Sequence, residues 1–174
     1  MRPSQQTALA TIAERLVNIP FVVGGSALLA LLGAEVEPGD IDLVVDAGSR
    51  DTLESATGQW WRGSRVETDH PHLMSSWVAD LDVDGESVEV IGGLALRSQG
   101  VHWRVPMRRG ETVEVMGQKI RLAAVGHWVV LYSLCRPSRA VELLPFLTPI
   151  EKQKTLMELP PGMGVEWPLD SDAV

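Results

Sequence analysis

Residues 21 to 46 read FVVGGSALLALLGAEVEPGDIDLVVD, and this stretch decides the fold. The apolar run from Phe21 to Val23 ends at two glycines, which is typical of a buried strand that enters a tight turn. The apolar residues 27–32 then predict a helix that Ser26 caps and Gly33 ends. A glycine turn before a helix offers backbone N–H groups and a positive dipole end, both of which bind phosphate oxygens.

The second half of the stretch predicts an acidic strand. Apolar and other residues alternate from Asp40 to Asp46, as in a strand with one buried face. Side chains two residues apart on a strand share a face and lie about 7 Å apart along it. Asp40 and Asp42 are therefore neighbours on one face. Carboxylate oxygens are preferred ligands of magnesium, so this pair is a candidate metal site.

Glu89 is a candidate third carboxylate. The runs 77–82 and 87–91 predict two strands of a hairpin, because Asp84-Gly85 between them is a strong turn signal. Glu89 lies between Val88 and Val90, whose side chains point to the opposite face. If this strand pairs beside the acidic strand, Glu89 joins the two aspartates.

The rest of the chain predicts mostly helices and one more hairpin. Helical spacing is found at 5–17, 49–58, 125–134, 138–147 and 150–159, and a hairpin is predicted at 112–122. Residues 60–76 give no clear pattern, and residues 160–174, with three prolines and several acids, predict a tail.

Composition predicts one folded domain and excludes several kinds of protein. The chain has 174 residues, and 45% of them are hydrophobic. A net charge of -8 argues against a broad surface for duplex nucleic acid, which needs many Lys and Arg residues. The lone Cys135 rules out an intramolecular disulfide, and neither a signal peptide nor an apolar run of about 18 residues is evident. We therefore expect a cytoplasmic protein that does not span a membrane.

Three motifs together resemble the signature of the DNA polymerase beta nucleotidyltransferase superfamily. They are Val23-Gly24-Gly25-Ser26, Asp40-Ile41-Asp42-Leu43 and Val88-Glu89-Val90. The resemblance covers roughly residues 18–135. The hairpin at 112–122, followed by the helix from Val125, is also similar to the small antitoxin-like and antibiotic-modifying branches. It implies an α+β nucleotidyltransferase fold, in which helices flank a mixed sheet and further helices follow. The domain would then comprise residues 1–159, with its helical C-terminal part at 125–159.

The resemblance also implies a function and a role for each motif. It implies a magnesium-dependent enzyme that moves a nucleoside monophosphate from a triphosphate, such as ATP, to a hydroxyl of a small molecule, RNA or protein. Gly24, Gly25 and Ser26 would hold the nucleotide phosphates. Asp40 and Asp42 would bind two magnesium ions, and Glu89 would bind the catalytic ion and help to deprotonate the acceptor hydroxyl. We list these residues as the expected site: Gly24, Gly25, Ser26, Asp40, Asp42 and Glu89.

The chain departs from the superfamily pattern at two places. Many relatives carry Arg and Thr before the acidic pair, where this chain has residues 35–39 with Glu35 and Glu37. Small relatives also often have a Lys and a Lys-Asp or Arg-Asp element in the helix after the last hairpin. Here Arg136 or Arg139 would have to supply that charge. An alternative is therefore a weak or inactive nucleotidyltransferase-fold protein with a binding or regulatory role, such as an antitoxin-type partner. An unrelated α+β interaction module is a third hypothesis.

Other candidate features have simpler interpretations. His70-Pro71-His72 favours a surface loop over a metal site, because no third ligand follows at a defined spacing. Acceptor recognition is expected to involve the C-terminal helices, a homodimer or a partner protein. Cys135 is expected to pack in the core. The visible basic concentration could receive a polyphosphate or an RNA end, or could balance the acids; it comprises Arg62, Arg65, Arg97, Arg104, Arg108 and Arg109.

Overall fold

The computed structural model describes residues 1–66, 69–107 and 109–168. The α-helices of these residues are α1 (Pro3–Arg15), α2 (Gly25–Leu31), α3 (Arg50–Thr57), α4 (Val125–Cys135), α5 (Pro137–Leu143) and α6 (Pro149–Glu158). The strands are β1 (Phe21–Val23), β2 (Ile41–Val45), β3 (Trp61–Arg65), β4 (Trp77–Val83), β5 (Glu86–Gly92), β6 (Ala95–Ser98), β7 (Val101–Arg104), β8 (Arg109–Val115) and β9 (Gln118–Ala123).

A mixed sheet with the strand order β3-β4-β5-β2-β1-β9-β8 forms the centre of the molecule. β2 pairs antiparallel with β1 and parallel with β5, and β1 pairs parallel with β9. β6 and β7 form a separate two-stranded hairpin. The predicted α+β class with a mixed sheet and flanking helices is confirmed.

The two faces of the sheet differ in chemistry. Ile41 and Leu43 of β2, and Val90 of β5, are completely buried on one face. Asp42 and Glu89 lie between these apolar positions and therefore point to the other face. The period-two pattern of the sequence thus separates an apolar core face from an acidic face.

Helix α4 covers the acidic face and is itself an interior helix. Every residue from Val125 to Tyr132 is buried, and all of them except His127 are apolar or glycine apart from the Tyr132 hydroxyl, so the helix is buried on all sides. It packs against α5 and α6, and residues near its C-terminal end line the pocket that contains Asp42. The predicted helix at 125–134 is confirmed, and its burial explains why it lacks an amphipathic pattern.

Some local predictions were wrong. Helix α2 begins at Gly25 with Gly24 as its N-cap, so Ser26 lies within the first turn and does not cap the helix. β3 was missed because its sequence, WRGSR, lacks apolar alternation; its pairing with β4 determines its conformation. The β6–β7 hairpin was also missed. Gly100 marks its turn in the sequence, and Gln99 and Gly100 adopt positive φ angles of 49° and 79° there.

The segment that follows α6 packs against the domain. Residues 160–168 contain no helix or strand, but Met163 is only 2% exposed and belongs to the core cluster. Residues 169–174 of the predicted tail lie outside the described residues. Within the described part of the chain, no helix is both long enough and apolar enough to cross a membrane.

Met163 should anchor this segment. Met163→Ala should lower the free energy of unfolding by about 2–4 kcal/mol, because it leaves a cavity in the core. Met157→Ala is the matched control, since Met157 is 80% exposed and should change stability little. Urea unfolding of both variants measures the difference, and equal stabilities would contradict the anchoring role.

Candidate active site

A pocket of about 450 Å³ opens on the acidic face beside β2. The carboxylates of Asp40, Asp42 and Glu89 line it together with Ser26. A larger groove of about 900 Å³ lies elsewhere, between residues 13–21 and the β8–β9 hairpin, and none of the predicted site residues lines it. The smaller pocket is the better candidate site because it contains converging polar groups and a perturbed carboxyl.

The glycine turn lies directly against Asp42. The Gly24 amide donates a hydrogen bond of 2.9 Å to the Asp42 carbonyl oxygen. Gly25 has a φ of +59°, and a Cβ atom there would lie 1.5 Å from Asp42 Oδ2. At Gly24, a Cβ atom would lie 1.8 Å from the Trp128 ring. Close contacts therefore require glycine at both positions, and the positive φ is a second requirement at Gly25.

Strand register brings the acids of three strands onto one face. Asp42 of β2 lies opposite Glu89 of β5, and Glu89 lies opposite Asp80 of β4. Paired residues of neighbouring strands project to the same side of a sheet. Asp42, Glu89 and Asp80 consequently form a row of carboxylates, as the sequence predicted for the first two.

The carboxyl of Asp42 experiences a strongly negative environment. Its pKa is raised from 3.8 to about 7, mainly by burial and then by the charges of Asp40 and Glu89, while Arg136 acts to lower it. Burial and the charge of Asp42 also raise the pKa of Tyr132 to about 12. A bound cation would relieve this excess of negative charge at Asp42.

Glu89 is held by an arginine from the edge of the sheet. Arg65 Nη2 lies 2.6 Å from Glu89 Oε2, and Arg65 Nη1 lies 2.8 and 2.7 Å from the two carboxylate oxygens of Asp80. Arg65 is part of the basic concentration noted in the sequence, where its partner was not foreseen. The sequence gives no signal for this contact, because it depends on the pairing of β3 with β4.

The carboxylate oxygens of the pocket are the type of ligand that a hard divalent cation prefers. Asp40 and Asp42 supply carboxylate oxygens, and the raised pKa of Asp42 indicates a need for positive charge. Among the described residues, however, no group of three or more His, Cys, Asp or Glu side chains could hold a metal ion as arranged. Asp40 and Asp42 are therefore the residues that fit a cation, while Glu89 is engaged with Arg65.

Positive charge in the pocket comes from the end of α4 and the start of α5. Arg136 and Arg139 line the pocket, and Arg139 also pairs with Glu142 at 2.8 Å. Arg62 instead pairs with Asp82, and Arg97 binds backbone carbonyl groups. Arg108 lies outside the described residues.

The acidic segment before β2 is partly compensated. Glu37 lines the pocket but is 71% exposed, and its carboxylate lies 3.9 Å from Arg2 Nε. Gln5 donates a hydrogen bond of 2.9 Å to the Pro38 carbonyl, which fixes the segment to α1. The negative charge predicted from Glu37 is thus present at the pocket, at a solvent-screened position.

His70 is a pocket residue that sequence reasoning placed in a surface loop. His70 lines the pocket together with Leu73 and Ile91. The motif His70-Pro71-His72 was visible in the sequence, but only the tertiary structure brings the loop beside the acids. Cys135 also lines the pocket and is half-buried there.

Known proteins share this architecture although sequence-based matches are lacking. No family model and no curated protein matches the chain. A crystal structure from Thermotoga maritima, provisionally assigned as a nucleotidyltransferase, is 28% identical with a TM-score of 0.65, and the match covers 90% of this chain and 92% of that one. The chain has the polymerase beta-like nucleotidyltransferase fold. The superfamily resemblance is confirmed, and an unrelated interaction module is excluded.

Two more distant structures share this nucleotidyltransferase fold. The antibiotic-resistance factor ANT(2'')-Ia is 19% identical with a TM-score of 0.50, covering 90% of this chain and 83% of that one. An antigenic nucleotidyltransferase-like protein from Paracoccidioides brasiliensis is 17% identical with a TM-score of 0.50, covering 90% of this chain and 88% of that one. At these identities the two structures support the fold alone.

The contact between Gly25 and Asp42 can be tested by adding one methyl group. Gly25→Ala should lower the free energy of unfolding by more than about 2 kcal/mol, since it adds a collision with Asp42 to the backbone strain. Gly33→Ala is the matched control, because Gly33 also has a positive φ, of +97°, but nothing lies within 4 Å of its Cβ position. Chemical denaturation compares them, and a smaller loss for Gly25→Ala would contradict the close contact.

The raised pKa of Asp42 makes stability depend on pH. The folded protein keeps a proton on Asp42 up to about pH 7, whereas the unfolded chain loses it near 3.8. The contribution of Asp42 to the unfolding free energy therefore decreases as pH rises through this window. In metal-free buffer, the unfolding free energy of Asp42→Asn should rise relative to that of wild type by on the order of 2 kcal/mol as the pH increases from 5 to 8.

Asp46→Asn is the control for this measurement, because Asp46 is exposed at the end of the same strand. Urea titrations at both pH values, with a chelator present, give the unfolding free energies. A stability difference between wild type and Asp42→Asn that does not change with pH would contradict the raised pKa.

Proposed function

We propose that this chain is a magnesium-dependent nucleotidyltransferase that moves a nucleoside monophosphate from a triphosphate to a hydroxyl group. The observation that carries the proposal is the contact of the Gly24-Gly25-Ser26 turn with Asp42, in a pocket that Asp40 and Glu89 also line. In this fold, a phosphate-binding turn beside paired carboxylates provides what nucleotidyl transfer requires.

Each part of the pocket has a role in this proposal. Backbone N–H groups of the turn and the Ser26 hydroxyl bind phosphate oxygens. Asp40 and Asp42 hold magnesium, which when bound neutralises phosphate charge and activates the attacking hydroxyl. Glu89 accepts the proton of the acceptor hydroxyl on a carboxylate oxygen once its contact with Arg65 loosens. That contact is partly exposed, and exposed ion pairs contribute only about 0–1 kcal/mol.

Arg136 and Arg139 replace the basic element that small relatives carry in the preceding helix. Both line the pocket, and the charge of Arg136 already acts on Asp42. An arginine that lines the pocket can stabilise the charge that develops on the transferred phosphoryl group and on the leaving pyrophosphate. We therefore assign triphosphate binding to the turn on one side and to these arginines on the other.

The acceptor is proposed to bind mainly outside the pocket. Its volume of about 450 Å³ lies in the lower part of the range for small-molecule sites, so a nucleotide would fill most of it. The acceptor hydroxyl would then enter from the mouth. The C-terminal helices, a second copy of the chain or a partner protein would supply the remaining contacts.

A non-catalytic nucleotide-binding or regulatory role is the second candidate. The engagement of Glu89 with Arg65 favours it, because the third carboxylate is then not available beside the two aspartates. Under this hypothesis the turn and the aspartates still bind a magnesium nucleotide, but no transfer follows. The two candidates therefore differ in chemistry and not in ligand.

Magnesium-dependent triphosphate binding and transfer should both depend on Asp42. Asp42→Asn should reduce transfer of label from α-³²P nucleoside triphosphates by at least about a hundredfold, since it removes a metal ligand. Equilibrium dialysis with magnesium or chelator measures binding, and release of labelled pyrophosphate from γ-labelled triphosphate measures turnover. Asp46→Asn should behave like wild type in both assays.

The outcomes separate the two candidates. Magnesium-dependent binding with transfer supports the enzyme, and binding without transfer to water, protein, RNA or small molecules of a cell extract supports the regulatory protein. If the wild type binds no triphosphate in the presence of magnesium, both candidates are wrong.

A further inference from the structure

His70 belongs to the loop between β3 and β4, and it lines the pocket. The ring nitrogen Nδ1 accepts hydrogen bonds from the backbone N–H groups of His72, at 3.1 Å, and Leu73, at 2.9 Å. A nitrogen that accepts N–H bonds carries no proton, so the neutral ring carries its proton on Nε2. The loop therefore fixes His70 as a donor through Nε2–H.

The backbone of this loop is held by Arg97 of β6. The Arg97 guanidinium donates to the carbonyl oxygens of His70, at 2.7 Å, and Pro71, at 3.0 Å. The Arg97 backbone N–H donates to the His72 carbonyl at 2.8 Å, and Leu73 forms a β-bridge with the fully buried Leu96. A donor on such a fixed loop loses little conformational entropy when it binds a ligand.

Within the described residues, Nε2 of His70 has no hydrogen-bond partner from the protein, whereas Nδ1 has two. Because Nδ1 is used within the loop and His70 lines the pocket, Nε2–H is the ring donor that is left for a ligand atom that accepts a hydrogen bond. Its neighbours Leu73 and Ile91 add apolar surface. His70, Leu73 and Ile91 form one wall of the pocket, called here the His70 wall. It combines one hydrogen-bond donor with two aliphatic side chains.

The topology places this wall across the aspartates from the glycine turn. The turn follows β1, the aspartates belong to β2, and the His70 loop is bound to the β6–β7 hairpin that follows β5. Because β2 lies between β1 and β5, His70 and the turn flank the aspartates from opposite sides. If the turn holds the phosphates, the His70 wall faces the part of the nucleotide beyond them.

We propose that His70 is a specificity-determining residue for the nucleoside. Its Nε2–H donates a hydrogen bond to an oxygen or nitrogen atom of the sugar or the base, and Leu73 and Ile91 pack against the same group. This inference rests on the proposed function, since it requires that the pocket bind a magnesium triphosphate with its phosphates at the turn.

The test uses His70→Asn with a matched pair of ligands. Asn places Oδ1 where the ring has Nδ1, so it can still accept the two backbone N–H bonds but lacks the donor at Nε2. The ligands are the magnesium complexes of ATP, GTP, CTP and UTP, and magnesium tripolyphosphate, which has no nucleoside. Isothermal titration calorimetry gives the dissociation constants.

His70→Asn should weaken binding of at least one nucleoside triphosphate by about three- to tenfold, the effect of one hydrogen bond. Tripolyphosphate affinity should not change. Equal losses for the four nucleotides assign the contact to the sugar, and unequal losses assign it to the base; both support the proposal. His72→Asn is the control, since His72 does not line the pocket and should bind like wild type.

His70→Gln is the second variant, because its side-chain amide can replace the Nε2–H donor even where the loop is less well fixed. It should recover part of the nucleotide affinity that His70→Asn loses. An equal loss of tripolyphosphate affinity, or unchanged nucleotide affinity in His70→Asn, overturns the proposal. If wild type binds none of these ligands, the proposed function itself fails. If wild type binds the nucleotides and His70→Asn binds them equally well, only the proposed contact with the nucleoside is wrong.

Discussion

The close approach of Gly25 to Asp42 is the constraint on which the site depends. Any other residue at position 25 would place a Cβ atom on the carboxylate, so the turn can lie against the acidic strand only because it lacks a side chain there. The hydrogen bond from the Gly24 amide to the Asp42 carbonyl fixes the same contact through the backbone. One local geometry thus brings together the turn and the Asp42 carboxylate, to which the proposed function assigns phosphate binding and metal binding, before any ligand arrives.

The same geometry concentrates negative charge. Parallel pairing of β2 with β5 sets Glu89 opposite Asp42, and burial under α4 leaves these charges poorly screened, as the raised pKa of Asp42 shows. Arg65 compensates Glu89 from the edge of the sheet, and Arg136 compensates Asp42 from the end of α4. The acids therefore remain compatible with a folded protein, because each has an arginine nearby that a ligand could later replace.

Local patterns revealed the parts of the site that follow one another along the chain, and missed the parts that meet only in three dimensions. The turn, the alternation from Asp40 to Asp46 and the Asp84-Gly85 hairpin predicted the individual elements, and the superfamily resemblance implied that Glu89 joins the two aspartates. The edge strand β3 carries no alternation, so the Arg65–Glu89 contact, between residues 24 positions apart, could not be predicted. The position of His70 at the pocket could not be predicted for the same reason, since contacts with Arg97 hold its loop there.

Under the proposed function, the charge balance of the pocket would couple nucleotide binding to cation binding. The side chains that line it include four acids, Glu37, Asp40, Asp42 and Glu89, and two arginines, Arg136 and Arg139, one of which also pairs with Glu142. A triphosphate would meet net negative charge there, and repulsion between like charges in a partly buried site is costly. Under the proposed function, the nucleotide would therefore bind well only together with cations that the aspartates share. The acids before β2, such as Glu37, would strengthen this dependence on metal, while Arg136 and Arg139 would provide the charge that orients the phosphates.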